Sequence, residues 1–452
     1  MVSAARVIPP SHREAYQLAV DARDRRFDGV FYVGVTTTHV YCRPICPSRL
    51  AYDRHRRFFD SAAAAERAGF RPCLRCRPEL APGTGRGGLG AVSQLAQVAA
   101  QRIAAGALNE RSVADLAHEL GVSERHLRRA LEREIGVSPL GLAQTHRLLL
   151  AKRLLVDTDL PITRVAYASG FQSLRRFNAA FREQYGMPPS ALRRGAPPTR
   201  RTAAVQLTLA YRPPLAWSAL LDSLRGVATP GVEIFEGSRY GRTVRLDGHT
   251  GVIMAEDVAE GHHIAVEVSP SLLPVLMPLI AGLRRLFDLD AEPAVVDAHL
   301  ADGGLGAEVA QTPGVRLPGA LVGFEVALQL ILSGRGGFGD PISTGVPGLT
   351  HLPPTAQQAA GAAIPKRRAK AVAALARAVS AGTVRLEPGG DVEATRAALV
   401  RLDGIGDGLA TQIVMRALYW PDAFYTKDRE LLARAEAWRP WRAYAALHLQ
   451  SR

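Results

Sequence analysis

TTTHVYCRPICPSR (36–49) and FRPCLRC (70–76) are the two stretches that decide the fold of the N-terminal part of the chain. Together they hold every cysteine in the sequence, as a C-x3-C pair followed by a C-x2-C pair: Cys42, Cys46, Cys73 and Cys76. Two such pairs can bring four sulfurs onto one tetrahedral metal ion, and Zn²⁺ is the usual occupant of such a set. The spacing therefore predicts a small zinc module.

Two disulfides are the alternative to a metal site. Disulfides persist mainly in secreted proteins, and we expect no secretory signal here, because Arg6 and Arg13 stand where its apolar segment would begin. The pattern therefore favours reduced cysteines that bind zinc.

Arginines crowd the same region, and the whole chain is basic. Its formal net charge is +14 and its isoelectric point is about 10.1. So many cations beside metal thiolates suit a phosphate-bearing partner. The arginines of the module are Arg43, Arg49, Arg54, Arg56, Arg57, Arg71, Arg75 and Arg77.

With DGVFYVGVTTTHVYCRPICPSR (28–49) and AGFRPCLRCRPE (68–79), the module resembles the N-terminal domain of the Ada family of alkylation-repair proteins. The resemblance implies that Cys42 takes a methyl group irreversibly from a methylated DNA phosphotriester, as a zinc-bound thiolate. It also implies contacts with the DNA backbone at Thr38, Pro47, Arg49 and Arg71. Ordinary turn and surface roles are the alternative for these four residues, and a purely structural Cys42 is the alternative for the acceptor.

Methylation would change the charge of the zinc site. Four thiolates around Zn²⁺ carry a formal charge of about −2, and methylating one leaves about −1. Less repulsion from DNA phosphates would then strengthen DNA binding.

The middle of the chain contains one helical motif twice. SVADLAHELGVSERHLRRALEREIG (112–136) predicts a helix, a turn at Gly121 and a second helix capped by Ser123. PITRVAYASGFQSLRRFNAAFREQYG (161–186) repeats the plan with Gly170 and Ser173. Two helix-turn-helix units can enter two successive major grooves.

The second helix of each unit carries groove-reading side chains. These candidates are Arg125, His126, Arg128, Arg129, Arg175, Arg176 and Asn178. A solvated helix face is the alternative for each arginine taken singly. The stretch 165–193 resembles the AraC family of transcription factors, which implies a sensor that binds a promoter once it is methylated.

The C-terminal half predicts an α+β part followed by a helical part. RTVRL (242–246), GVIMAED (251–257) and HHIAVEV (262–268) alternate as strands do. Further on, VRLDGIGDGLATQIVMRALY (400–419) predicts two helices joined by a tight hairpin at Gly404 and Gly406. Such a hairpin exposes backbone N–H groups that can bind a DNA phosphate.

The order of the hairpin, DAFYTKDRELL (422–432) and AEAWRPWRAYAALHL (435–449) resembles the AlkA family of 3-methyladenine DNA glycosylases, of the helix-hairpin-helix superfamily. The resemblance implies that Asp428 is the catalytic carboxylate and that a monovalent cation can bind at the hairpin. Asp422 is the alternative carboxylate.

The base pocket departs from that family. Gly408, Gln412 and Gln450 stand where relatives carry aromatic rings, and Arg335 lies near the position of an apolar wedge. Six other aromatic residues are left as candidates to line the pocket or, as we favour, to pack in the core. These are Trp217, Tyr419, Trp420, Tyr425, Trp438 and Trp441.

We therefore expect a multidomain, mainly α protein with α+β parts, in four domains: 8–80, 92–193, 205–315 and 316–452. The first hypothesis is a DNA-binding alkylation-response protein that is methyl acceptor, activator and glycosylase. The second is a methyl-sensing regulator whose glycosylase half binds DNA with little or no base excision. A third, non-enzymatic reading is a basic DNA-binding factor.

We further expect double-stranded DNA and RNA polymerase as partners, a monomer, and a cytoplasmic, nucleoid-associated protein. The longest apolar run, 272–283, is too short to cross a bilayer.

Overall fold

The computed structural model describes residues 10–83, 94–194, 204–333, 339–361 and 366–450. Arg335 and most of the glycine-rich and arginine-rich stretches 81–91 and 193–204 lie outside these residues. The chain divides into two compact units, residues 1–212 with 273–281 and residues 213–272 with 282–452.

The N-terminal module is built on a four-stranded sheet. Its strands are β1 (Tyr32–Val35), β2 (Val40–Cys42), β3 (Arg56–Phe59) and β4 (Arg71–Pro72), in the order β3-β1-β2-β4. The helices beside it are α1 (Pro10–Asp21) and α2 (Ala62–Arg67). Strands β2 and β4 run parallel, with Tyr41 opposite Pro72. This pairing brings the first cysteine of one pair next to the first cysteine of the other.

Among the described residues 94–194, seven helices follow in the first unit. They are α3 (Gln94–Ala104), α4 (Val113–Glu119), α5 (Glu124–Glu134), α6 (Pro139–Asp157), α7 (Ile162–Ala168), α8 (Leu174–Tyr185) and α9 (Pro189–Arg194). The predicted helix starts are confirmed, because Ser123 accepts from the His126 N–H and Ser173 from the Arg176 N–H. Gly121 and Gly170 make the turns with positive φ angles of 69° and 85°.

A strand, β5 (Val205–Ala210), precedes the second unit. In that unit four strands form a consecutive antiparallel meander: β6 (Glu233–Glu236), β7 (Arg239–Leu246), β8 (His249–Val258) and β9 (His263–Val268). The three alternating stretches predicted as strands are therefore confirmed. Alternate residues such as Val244, Ile253 and Val266 point into the core and are fully buried.

The rest of residues 213–450 is mainly helical. The helices are α10 (Trp217–Arg225), α11 (Leu276–Leu286), α12 (Pro293–Leu300), α13 (Gly306–Gln311), α14 (Gly323–Leu332), α15 (Ala356–Gly361), α16 (Lys366–Ser380), α17 (Val392–Val400), α18 (Asp407–Ala417), α19 (Arg429–Arg434) and α20 (Arg442–Gln450).

Two apolar clusters hold the helical part together. Helices α14, α16, α17 and α18 share a core that includes Ile331, Leu375 and Ile413. A second core surrounds Trp438. The expected fold class, a multidomain and mainly α chain with α+β parts, is confirmed. Within the described ranges, no helix has both the length and the apolar character needed to span a membrane.

Candidate metal centre and nucleic-acid interface

The four cysteine sulfurs meet at one point of the N-terminal module. Their Sγ atoms all lie within 4.8 Å of one another. A tetrahedral Zn²⁺ with Zn–S bonds of about 2.3 Å places its sulfurs about 3.8 Å apart, so the set fits this ion. Cys46, Cys73 and Cys76 are buried, whereas Cys42 is half-buried and is the most exposed residue of the set.

Backbone N–H groups support the sulfurs. The N–H of Arg43 donates to Cys76 Sγ at 3.3 Å, and the N–H of Arg75 donates to Cys73 Sγ at 3.4 Å. The Arg43 side chain donates to Asp28 Oδ1 at 2.8 Å and to the Cys76 carbonyl at 3.2 Å. Arg43 therefore links the segment that carries Cys76 to Asp28.

The four thiols lie close enough together to shift one another's pKa through hydrogen bonds. Those with Cys46, Cys73 and Cys76, together with burial, raise the pKa of the Cys42 thiol. The hydrogen bond with Cys42 contributes most to lowering the pKa of Cys46. Without a metal ion, the four thiols would therefore titrate as a coupled set. A bound Zn²⁺ displaces the thiol protons and holds the sulfurs as thiolates.

Seven of the eight arginines of the module fall into two groups. Arg43, Arg56 and Arg77 form ion pairs with Asp28, Asp21 and Asp157, respectively, and are mainly structural. The others with largely solvent-facing side chains are Arg49, Arg54, Arg57 and Arg75. Spacing along the sequence could not separate the two groups, because Asp28, Asp21 and Asp157 lie 15 to 80 residues away from their arginines.

The four residues predicted to contact the DNA backbone take different positions. Thr38, in the turn between β1 and β2, is exposed, as are Pro47 and Arg49. Arg71 is half-buried in β4, opposite Val40, and its N–H donates to the His39 carbonyl at 2.9 Å. All four belong to the metal module, and their contacts with DNA stay predictions.

Helix α6 contacts the metal module through polar side chains that the sequence did not single out. Lys152 Nζ donates to the Cys73 carbonyl at 2.9 Å and forms an ion pair with Glu79. Glu66 accepts from the Thr145 hydroxyl at 2.6 Å and from the Tyr41 hydroxyl at 3.0 Å. These bonds join residues about 25 to 80 positions apart, so local pattern carries no signal for them.

The candidate groove-reading residues lie on the surface of the second helix of each helix-turn-helix motif, α5 and α8. On α5 all four are exposed: Arg125, His126, Arg128 and Arg129. Arg128 also pairs with Glu124 one turn earlier, at 2.7 Å. On α8, Arg175 and Arg176 are exposed and Asn178 is half-buried.

The predicted hairpin lies between α17 and α18. Gly404 has a φ of +84°, and a Cβ there would lie 3.0 Å from the Cβ of Ala371, so glycine suits both the conformation and the space. Gly406 is the N-cap of α18. Both glycines are exposed, so backbone groups of the hairpin can reach a phosphate.

Two carboxylates compete for the catalytic role, and the structure gives them different surroundings. Asp422 accepts from Arg439 at 2.7 Å and from Arg442 at 2.7 and 2.8 Å, so both its oxygens are occupied. Asp428 is exposed and is the N-cap of α19, where its Oδ1 accepts from the N–H groups of Glu430 and Leu431. Its second oxygen, Oδ2, makes neither of these cap bonds.

Three family models match the chain. They are the metal binding domain of Ada over residues 15–79, a helix-turn-helix domain over 116–195, and the AlkA N-terminal domain over 206–322. A Mycobacterium tuberculosis protein, the probable bifunctional transcriptional activator/DNA repair enzyme AlkA, is 35% identical over 95% of this chain and 94% of its own length. The chain belongs to this bifunctional AlkA family. Its cysteine cluster is a Zn²⁺ site.

Two further relatives match separate parts of this AlkA-family chain. The DNA-3-methyladenine glycosylase 2 of Escherichia coli is 31% identical over 54% of the chain and 95% of its own length. The regulatory protein ada of Salmonella typhimurium is 33% identical over 39% of the chain and 48% of its own length. The resemblances predicted from the sequence are thus confirmed.

Most of the six candidate aromatics of this family member pack in the core. Trp217, Trp438 and Trp441 are buried, and Trp420 packs against both helical cores. The Tyr419 hydroxyl donates to the buried Asp288.

Tyr425 differs from the other five, because 48% of it is exposed. The three non-aromatic pocket positions differ among themselves: Gln412 and Gln450 are exposed, and Gly408 is half-buried.

Proposed function

We propose that this chain is a bifunctional alkylation-damage response protein, in which Cys42 accepts methyl groups from DNA phosphotriesters and the C-terminal half excises alkylated purines. The observation that carries the first activity is the position of Cys42, the one half-buried residue of a four-cysteine zinc set whose other members are buried. The family supports the second activity, since the relatives include a DNA-3-methyladenine glycosylase.

In the first reaction, Cys42 Sγ attacks the methyl carbon of the phosphotriester. A C–S bond forms, the C–O bond breaks, and its electron pair stays on the phosphate as a phosphodiester anion. Zn²⁺ supplies the thiolate form of the sulfur at neutral pH. The product is a thioether, so each chain reacts once.

Methylation converts the protein into an activator by changing charge. The formal charge of the zinc site falls from about −2 to about −1, which reduces repulsion of DNA phosphates. Thr38, Pro47, Arg49 and Arg71 then hold the DNA backbone. The helix-turn-helix residues read the promoter.

In the second reaction, the exposed carboxylate of Asp428 stabilises positive charge on the deoxyribose while the N-glycosidic bond breaks. Water adds to the sugar and the alkylated base leaves. Gly404 and Gly406 bind the DNA backbone. The paired oxygens of Asp422 favour Asp428 over Asp422 in this role.

Several finer statements belong to the same proposal. RNA polymerase is the partner of the activated form, and the protein acts as a monomer in the bacterial nucleoid. A monovalent cation binds at the Gly404–Gly406 hairpin. The four domains follow the boundaries 8–80, 92–193, 205–315 and 316–452.

A second candidate function is a methyl-sensing regulator whose glycosylase half only binds DNA. Gly408, Gln412 and Gln450 favour it, because none of them offers an aromatic face to a flipped base. The two candidates share the chemistry of Cys42 and differ in base excision.

The methyl-transfer proposal is tested with DNA that carries radiolabelled methyl phosphotriesters. We expect wild-type protein to take up one label per chain, and peptide mapping to locate it on Cys42. Cys42→Ser should take up none while circular dichroism shows an unchanged fold. Label on Cys46, Cys73 or Cys76, or normal uptake by Cys42→Ser, would contradict the assignment.

A further inference from the structure

Tyr425 and Gly408 are in contact across the start of helix α18. A Cβ built on Gly408 would lie 2.9 Å from Tyr425 Cε1 and 3.0 Å from Cδ1, closer than carbon atoms pack. The tyrosine ring therefore lies directly against the glycine backbone. Any side chain at position 408 would force the ring to move.

The Tyr425 ring lies near residues to which the proposed glycosylase reaction assigns roles. Gly408 and Gln412 are one helical turn apart on α18, so they share a face of that helix. Tyr425 precedes Asp428 by three residues and, like Asp428, is exposed. The hairpin glycine Gly406 lies two residues before Gly408. An exposed tyrosine thus contacts the first turn of the helix that follows the predicted backbone contact, and it lies three residues before the predicted carboxylate.

We propose that Tyr425 is the stacking platform for the flipped alkylated base, in place of an aromatic residue at position 408. A side chain at position 408 and the Tyr425 ring would occupy the same space. The absence of a side chain at 408 therefore makes room for the ring of Tyr425. This inference rests on the proposed glycosylase function and names the residue that determines its preference for cationic bases.

The preference follows from the charge of the substrate. N-alkylated purines such as 7-methylguanine are cations, and a cation over a tyrosine ring gains about 0.5 to 2 kcal/mol. Since 1.4 kcal/mol is a factor of ten in an equilibrium constant, removal of the ring should weaken capture of a cationic base roughly 2- to 30-fold. Removal of the ring should weaken capture of a neutral base by a smaller factor.

Base flipping can be measured without base release. In an Asp428→Asn background, a duplex with one 7-methylguanine and an adjacent 2-aminopurine reports flipping, since 2-aminopurine brightens when its neighbour leaves the stack. A second duplex carries neutral hypoxanthine in place of 7-methylguanine. The variants are Tyr425→Phe, which keeps a ring, Tyr425→Leu, which removes it, and Gly408→Ala, whose methyl group displaces it.

The control is Val295→Ala. Val295 is an apolar residue of similar exposure, 45% against 48% for Tyr425, and it lies on helix α12, away from the residues proposed to act on DNA. Anisotropy of labelled DNA sets equal occupancy for all variants, so a general loss of DNA binding is separated from a loss of flipping.

We expect Tyr425→Phe and Val295→Ala to match the parent, and Tyr425→Leu to lose roughly 2- to 30-fold of the flipping signal with 7-methylguanine. The flipping signal of Gly408→Ala should lie between those of Tyr425→Phe and Tyr425→Leu. If Tyr425→Leu flips 7-methylguanine as well as the parent does, Tyr425 is not the platform, while the glycosylase function stands. If the parent flips no base and wild-type protein releases none, both the platform and the glycosylase function are refuted.

Discussion

Lys152 and Glu79 form a buried ion pair in which each side chain is only 1% exposed. Lys152 lies on α6, and its Nζ also donates to the carbonyl of the metal ligand Cys73 at 2.9 Å. One ammonium group therefore joins the long helix of the DNA-binding domain to the loop that holds the zinc.

Removing the ammonium group should destabilise this unit. Lys152→Met leaves the Glu79 carboxylate buried, and breaking a buried pair costs about 3 to 5 kcal/mol. Arg77 still contacts Glu79 at 3.0 Å, so we expect the lower end of that range. Urea denaturation measures the change, with Lys370→Met, an exposed lysine, as the matched control. Equal midpoints for the two variants would show that the pair stabilises nothing.

Glu66 should make stability depend on pH. Burial raises the pKa of Glu66 from 4.5 to about 7, although hydrogen bonds from Thr145 and Tyr41 oppose the rise. A raised carboxyl pKa means that the folded state holds the proton more tightly than the unfolded state. This contribution to stability is complete below pH 4.5 and is lost as the pH rises through 7.

Glu66→Gln isolates that contribution, because glutamine stays neutral. We expect the stability of wild-type protein relative to Glu66→Gln to fall by roughly 3 kcal/mol between pH 4.5 and pH 8, at 1.36 kcal/mol per pKa unit. Denaturation midpoints at a series of pH values measure the difference. Parallel pH profiles for the two proteins would contradict a buried Glu66 that loses its proton near neutrality.

Part of this arrangement could be predicted from the sequence. Cysteine spacing, helix caps and strand alternation are local patterns, so they located the zinc ligands, Ser123, Ser173 and the meander. The bond from Lys152 to Cys73 could not be found in this way, because the two residues are 79 positions apart. The same limit applies to Tyr425, since its contact with Gly408 depends on how a loop returns to helix α18.

Substitutions of the two candidate carboxylates should affect stability and catalysis differently. Asp422→Asn weakens charge-assisted hydrogen bonds with Arg439 and Arg442, and we expect a loss of roughly 2 kcal/mol of stability. Asp428→Asn should lose less than about 0.5 kcal/mol, because asparagine is itself a good N-cap. Thermal unfolding of the two variants makes the comparison. A larger loss for Asp428→Asn would indicate that Asp428 is the structural carboxylate.

The exposed arginines of α5 should contribute to DNA binding according to their position along the helix. Arg125 lies in the first turn of α5, where a recognition helix contacts bases, and Arg133 lies in the last turn. Arg125→Ala should weaken promoter binding by roughly 1 to 3 kcal/mol and relax its sequence preference, whereas Arg133→Ala should have little effect on sequence preference. Anisotropy titrations against promoter and scrambled duplexes test this. Equal effects of both variants on the two duplexes would argue against groove reading by Arg125.

We propose that one chain carries two repair chemistries, and release of free base tests this most directly. DNA containing radiolabelled N-methylated purines is incubated with wild-type protein, Asp428→Asn and Asp422→Asn, and the free base is separated and counted. We predict release by wild-type protein, retention of activity in folded Asp422→Asn, and loss of release in Asp428→Asn at unchanged DNA affinity. No release by wild-type protein that still binds the DNA would contradict the claim, and would leave a methyl-sensing regulator with a DNA-binding C-terminal half.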